Sequence, residues 1–281
     1  MTRILVTGSE GFIGQNMCEY LSARDFDVVG YDVKNIPFGG ESAYYVPDLR
    51  GFSAVIHLGA NSSTTEKNLP KILKQNFIFS QELYNKCKLT NTKFQYASSA
   101  SVYGNHENVV FKEDQFCYPI NAYALSKYMF DVWLQTQTFP YQGFRYFNVY
   151  GKCEDHKEGQ ASPIHTFTKQ AKENGVIKLF YCSDRFYRDF VHVDDVCEAH
   201  YRMLYCGHTG VYNVGTGHNV SFERVAELIA DKYNAKIERI PMPPSIQKGY
   251  QQYTKADNSK LTKVIGNLEW TKVVDYIKYN V

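Results

Sequence analysis

The sequence predicts an α/β chain: a Rossmann-type doubly wound parallel sheet with a smaller, loop-rich C-terminal part. Three observations predict it. A short apolar run, Ile4, Leu5 and Val6, leads through three glycines into a segment with helical spacing. Further short apolar runs then alternate with helix-spaced stretches, the order that builds parallel βαβ units. Past Gly151 the texture turns polar and loop-rich.

Gly8, Gly11 and Gly14 follow the first run, and Phe12, Ile13, Met17 and Leu21 then share one helix face. Strand, glycine turn and helix in that order is the context a dinucleotide fingerprint requires. Gly8 permits the tight turn, Gly11 lets the backbone approach a pyrophosphate, and Gly14 lets the helix pack close to the strand. Free N–H groups and the positive end of the helix dipole would face the phosphates. The spacing, G-x-x-G-x-x-G, is one residue longer than the commonest form, and plain turn chemistry is the competing reading.

Asp27–Asp32 reads as a second strand ending in an acid 18 residues past Gly14, where a carboxylate receives the adenosine ribose hydroxyls. That charge would repel a 2′-phosphate and points to NAD; Lys34 would offset the repulsion and admit NADP. Residues 35–47 contain Pro37, Gly39, Gly40 and Pro47 and read as irregular. Residues 43–49 are a candidate third strand, yet only five residues separate Asp48 from the next strand at Ala54–Gly59. A parallel crossover takes about a dozen residues. Either the third strand is absent or displaced, or a covering helix is missing.

A helix is expected over 68–88, a strand over 93–99, a helix over 123–137 and a strand over 143–150. A polar loop holding His156 and Lys157 follows, then a helix over 162–174, short strands at 179–182 and 190–193, and a helix over 194–205. Residues 210–217 read as strand and turn, and Ser221 caps a helix to about Tyr233. Pro241, Pro243 and Pro244 mark a loop, with little structure expected until a helix near Val273. The simplest division is a dinucleotide-binding part over 1–151, to which later segments can return, and a mainly substrate-binding part over 152–281.

Composition narrows the class. With 281 residues, 44% hydrophobic and 21% charged, the chain can bury a good core. A net charge of +2 gives no reason to expect nucleic acid or an acidic membrane as partner. No run approaches the roughly 18 apolar residues of a membrane span, and the immediate entry into a strand predicts no signal peptide. Seven cysteines, odd in number and never spaced C-x-x-C, suit reduced thiols in a cytoplasm and no metal site.

Tyr123 and Lys127 stand four apart, hence on one helix face. A phenol titrating near pH 10 is a poor base at neutral pH. A lysine cation beside it favours the phenolate, and the same amine can reach a nicotinamide ribose. Ser99 ends a strand 24 residues before Tyr123 and would steer the proton to it.

Together, T-G-x-x-G-F-I-G (7–14) and Y-x-x-x-K resemble the extended short-chain dehydrogenase/reductase family, whose members mostly remodel nucleotide sugars. Further segments narrow the resemblance to its ADP-L-glycero-D-manno-heptose 6-epimerases: G-A-N-S-S-T-T-E (59–66), Y-A-S-S-A (96–100), F-R-Y-F-N-V-Y-G (144–151) and H-K-x-G (156–159). So do R-D-F-V (188–191), N-V-G-T-G (213–217) and Y-Q-x-Y-T-x-A-D (250–257). The resemblance covers nearly the whole chain and is weakest over 33–53.

The resemblance implies oxidation of the sugar at C6 to a ketone and re-reduction from the other face, with a tightly bound, recycled NADP, NAD staying open. Inversion needs proton handling on two sides, and Tyr123 and Lys157 would supply it, the lysine after burial or a neighbouring cation lowers its pKa. Ser99 and Lys127 complete the implied catalytic set. Toward the cofactor the resemblance implies Gly8, Gly11, Phe12, Ile13, Gly14, Asp32, Lys34, Asp48, Leu58, Gly59, Ala60 and Asn76, with Tyr123 and Lys127. Toward the nucleotide sugar it implies Ser62, Ser99, Asn148, Val149, Phe180, Ser183, Arg188 and Tyr250. Arg188 would hold the diphosphate, where a planar fork suits two oxygens; an ion pair with Asp184 or Asp189 is its competing reading.

F-Y-C-S (180–183) departs from the family's small acidic stretch and leaves the nucleotide base open. No acidic pair follows the strand serine, where Ser101 and Val102 stand, which argues against a dehydratase. A 4-epimerase type and a non-catalytic dinucleotide-binding protein are the alternatives, and a homo-oligomer is expected.

Overall fold

The computed structural model describes residues 1–35, 45–106, 108–247 and 250–281. In chain order the first elements are β1 (Arg3–Thr7), α1 (Phe12–Ser22), β2 (Asp27–Tyr31), β3 (Ala54–His57), α2 (Leu69–Leu73), α3 (Phe79–Thr90), β4 (Lys93–Ser99), α4 (Ala122–Gln135) and β5 (Gln142–Tyr146). Then come β6 (Asn148–Tyr150), α5 (Pro163–Asn174), β7 (Val176–Phe180), β8 (Tyr187–His192), α6 (Val193–Leu204), β9 (Gly210–Val214), β10 (Asn219–Ser221) and α7 (Phe222–Tyr233). β11 (Lys236–Ile240), α8 (Pro244–Gln247), α9 (Ser259–Ile265) and α10 (Val273–Asn280) complete the chain.

Six parallel strands form the main sheet in the order β2-β1-β3-β4-β5-β9. Alternation along β1 decides which helix covers which face. Ile4 and Val6 pack with Met17 and Leu21 of α1 and Cys197 of α6. Leu5, between them, joins Leu83 and Tyr84 of α3 and Phe130 and Leu134 of α4 on the opposite face. Strands covered on both faces read as continuous apolar runs, and each fully buried large aliphatic contributes roughly 1.5–3 kcal/mol. Strand order reverses at β1, with β2 on one side and β3 on the other. Ligands of open α/β sheets bind in the crevice beyond the strand ends at such a point.

The remaining strands make two small sheets, β10-β8-β6 and β11-β7. α5, α7 and α10 pack around Ile164, Phe167, Ile229 and Ile277 to cover them. α6 and β9 lie with the large sheet, α6 against α1 and β9 beside β5.

Several expectations need correction. The strand expected over 143–150 is two strands: the Phe147 N–H turns to the Val214 carbonyl (3.0 Å), so β5 stays in the large sheet while β6 pairs with β8. The long helix contains a π turn, Lys74–Ile78, between α2 and α3. Residues 45–49 of the candidate third strand are not a strand, and residues 36–44 lie outside the described residues. His156 and Lys157 sit in a 3₁₀ turn, Asp155–Gln160, rather than an irregular loop. α9 forms where little structure was expected, and β11 in a stretch between Tyr233 and Pro241 to which no element was assigned. β11 is ordered by its parallel ladder to β7, and α9 by burying Leu261 in the cluster with Tyr212 and Val214 of β9. Both are too polar for periodicity to find.

Candidate active site

A cleft of about 580 Å³ opens at the strand-order reversal, floored by the glycine turn and by the segment after β3. Gly8 has φ +71°, and a Cβ there would lie 2.6 Å from the Gly59 backbone; one on Gly14 would lie 1.9 Å from the Gly8 carbonyl. The turn therefore needs glycine at both places for the two loops and α1 to close up. Gly11 caps α1 without a side-chain hydrogen bond, and the first turn carries no acid, so the amides at this helix start stay available to an anion. Gly11, Phe12, Ile13, Asp32, Lys34, Leu58, Gly59 and Ala60 all line the cleft. The Asp32 carboxylate is buried and accepts the Glu10 and Lys34 N–H groups, each at 3.1 Å. Glycine cradle, uncapped helix and ribose-side acid fit a dinucleotide.

Tyr123 and Lys127 lie on the far wall of this cleft, and Tyr123 also lines a second cleft of about 270 Å³. Asn121 caps α4 by accepting the Ala124 N–H at 2.8 Å, which starts the helix just before Tyr123. Burial raises the Tyr123 pKa, a hydrogen bond with Ser99 lowers it, and Asp131 raises it. Lys127 lies one helical turn from Tyr123 on the same cleft. The Lys127 Nζ donates to the Ala97 carbonyl (2.8 Å), and burial brings its pKa down to about 8, against the raising effect of Asp131. Ser99 Oγ accepts from the N–H and the hydroxyl of Ser101 at 3.2 and 2.9 Å.

Ser99, Asn148, Arg188 and Tyr250 meet on the second cleft. Arg188 is buried, bonds Tyr250, gives an N–H to the Tyr187 carbonyl (3.1 Å), and lies over the Phe222 and Tyr250 rings. Burial lowers its pKa. The competing ion pair is absent: among the described residues Arg188 has no carboxylate partner. Asp189 points elsewhere, taking the N–H and hydroxyl of Thr216 and the N–H groups of Gly217 and Ala256. A buried cation with no internal counter-charge on a cleft wall is arranged for an anion.

Lys157 lines the first cleft, its ammonium 4.9 Å from the Phe12 ring centroid. Burial lowers its pKa, partly opposed by Glu154. Glu154 is itself buried and fixes the turn by accepting the Gly151 N–H and the N–H and hydroxyl of Ser162.

Other expected residues are placed differently. Asp48 is exposed, paired with Arg50 and off the cleft. Asn76 is 1% exposed and does not reach the cleft wall; its amide clamps both backbone groups of Asn61 (2.7 and 2.9 Å) and the Ser126 hydroxyl (3.0 Å). Ser62 lines the first cleft rather than the substrate side, and Thr64 faces the second. Val149 packs against the Phe144 and Val191 cluster, Phe180 packs against the C-terminal core, and Ser183 is buried on Glu223 at 2.5 Å. Alternation along a strand explains Val149, burial of an apolar ring explains Phe180, and the Glu223 hydrogen bond explains Ser183.

Sequence reasoning missed the support behind the floor. Thr7, His57 and Ser80 form a buried chain (2.7 and 2.8 Å) ending on the Asn76 carbonyl in the π turn. The only signal was polar residues inside apolar runs.

The profile of the NAD dependent epimerase/dehydratase family matches residues 4–215. The ADP-L-glycero-D-manno-heptose-6-epimerase of Alkalilimnicola ehrlichii is 37% identical over 291 residues, covering 92% of this chain and 90% of that protein. Among solved structures, the ADP-L-glycero-D-manno-heptose-6-epimerase of Helicobacter pylori superposes with a TM-score of 0.87 at 25% identity, over 99% of this chain and 94% of that one. The UDP-glucose 4-epimerase of Thermus thermophilus, solved as a complex with NAD, gives 0.80 at 25% identity over 100% of both chains.

Proposed function

The chain belongs to the NAD dependent epimerase/dehydratase family, and from that premise we propose that it is a nucleotide-diphospho-heptose 6-epimerase of the ADP-glycero-manno type. One observation carries the reading: Tyr123 stands where the two clefts meet, with Lys157 on the wall of the same cleft. The choice of sugar rests on the relative that is 37% identical along almost the whole length.

The dinucleotide, when bound, supplies removal of a hydride from the sugar carbon and its return. The chain's residues supply the rest. Tyr123 Oη, with Ser99 beside it, exchanges the proton of the carbinol oxygen on one side. Lys157 Nζ, its pKa lowered by burial, exchanges it on the other. Arg188 takes the diphosphate, with Asn148 and Tyr250 along the same cleft. The part built on the large sheet takes the dinucleotide, and the smaller sheets with their helices take the nucleotide end.

NAD fits better than the NADP that the family resemblance suggests. Asp32 is buried and fixed by two amides, while Lys34 is exposed and screened by solvent. We place the enzyme in the cytoplasm on its seven free cysteines, and as a homo-oligomer on the family resemblance.

The test is incubation with ADP- and GDP-linked D-glycero-heptose, without added cofactor, following the C6 configuration by NMR. Inversion is expected, and NAD is expected in the supernatant after heat denaturation. Tyr123→Phe and Lys157→Met should each abolish inversion. Full activity in Lys157→Met would remove the second proton-handling role, and a C4-inverted product would replace the reading with a 4-epimerase.

A further inference from the structure

Two phenols, not one, stand at the junction of the clefts. Tyr146 of β5 lines both, as Tyr123 does. Its hydroxyl lies 2.5 Å from Nε2 of His200, a fully buried residue of α6. The direction of that bond can be derived from the far end of a buried chain. Gln142 places its Nε2 at 3.0 Å from the carbonyls of Cys206 and of His208. Carbonyls only accept, so Gln142 Oε1 faces inward, and Gln95 Nε2 must donate to it at 2.8 Å. The same Gln95 Nε2 reaches the His200 carbonyl at 3.1 Å, which leaves Gln95 Oε1 to face His200 Nδ1 at 2.8 Å. Nδ1 therefore carries the imidazole proton, and Nε2 is left as an acceptor.

We infer that His200 is a positioning residue that holds the Tyr146 hydroxyl as a donor pointing away from the reaction, so that Tyr146 is a fixed aromatic wall and Tyr123 alone exchanges the proton on its side. The chain has no onward path for a proton, because amide side chains do not relay one at neutral pH; it orients and does not conduct. Alternation along the strands builds it. Gln142, Phe144 and Tyr146 share the α6 side of β5, with Gln95 beside them on β4, and the Phe144 ring lies tilted against His200 with centroids 3.9 Å apart. Burial keeps the imidazole uncharged, its pKa lowered to about 3, and pushes the Tyr146 phenol well above its ordinary value. A hydrogen bond with Ser99 lowers the Tyr123 pKa, whereas the Tyr146 hydroxyl is taken up by His200.

The inference rests on the acid–base reading of Tyr123, and the tests keep the two apart. ¹⁵N NMR of the wild-type protein, with the His200 signals assigned by their loss in His200→Gln, should show Nδ1 protonated and Nε2 bare. A proton on Nε2 overturns the inference whatever the enzyme does. His200→Phe fills the volume but offers no acceptor, and kcat should fall about tenfold with KM within about twofold. His200→Gln can still accept from Tyr146 and donate to Gln95, and should recover most of the loss. A folded His200→Phe with unchanged kcat, or a His200→Gln as impaired as His200→Phe, overturns it. A wild-type protein that inverts no nucleotide heptose would instead overturn the proposed function and leave the ring-nitrogen result standing.

Discussion

Arg145 on β5 and Arg188 on β8 are almost equally buried, at 2% and 5% exposure, and are held in opposite ways. Arg145 gives Nε to Asp131 at 2.9 Å and a second nitrogen to the Tyr103 hydroxyl and the Glu113 carbonyl. Asp131 in turn accepts the hydroxyls of Tyr96 and Ser98. Burial would lower the Arg145 pKa, but Asp131 and Tyr103 outweigh it and hold the group above its ordinary value. For Arg188 burial wins and the pKa falls. A cation answered inside the protein fastens elements together, here α4 to β4 and β5. One left unanswered beside a cleft costs stability in the free protein and recovers it when an anion arrives.

The largest effect should come from breaking the fastener. Asp131→Ala strands Arg145 in the core and should lower the unfolding free energy by about 3–5 kcal/mol in urea titrations. A variant as stable as the wild type would mean the pair contributes nothing. Arg188→Met should weaken ADP binding about a hundredfold by calorimetry while leaving the ligand-free urea midpoint unchanged or raised. Loss of stability without loss of affinity would place Arg188 with Arg145.

Lys127 lies between these cases, donating to a carbonyl while Asp131 only partly offsets its burial. It holds its proton to about pH 8 in the folded chain and to about 10.4 unfolded. Between those values the unfolded state binds more protons, so this residue's contribution to stability rises with pH. The stability difference, wild type minus Lys127→Met, should therefore climb by about 2 kcal/mol from pH 8 to 10.5. A flat difference would show that the amine is not desolvated. Asp32, answered among the described residues by two amides, should give the smallest change: Asp32→Asn should cut the preference for NAD over NADP about tenfold in competitive binding.

The parts of the site legible in the sequence are those whose residues are neighbours in sequence. The glycines and α1 follow β1 without a gap, and Tyr123 and Lys127 lie one helical turn apart. Arg188 was legible as a candidate, but its lack of a counter-ion was not, since Asp184 and Asp189 both stood close by in sequence. The sides taken by Ser62 and Thr64 depend on how a loop crosses the gap between the clefts, which no periodicity encodes. Phe180 and Ser183 were drawn toward the nucleotide by resemblance, yet the ring is held by the apolar core and the hydroxyl by Glu223.

By itself the sequence determined the parallel α/β order, the dinucleotide turn and the phenol–lysine helix, because local spacing and backbone freedom act over a few residues. Only the tertiary structure decided which charges are answered, that Lys127 donates to the Ala97 carbonyl, and that a second phenol is tied back by His200. Those outcomes depend on partners 14 to 54 positions away, brought together by strand pairing and burial, where desolvation makes each missing or present partner count.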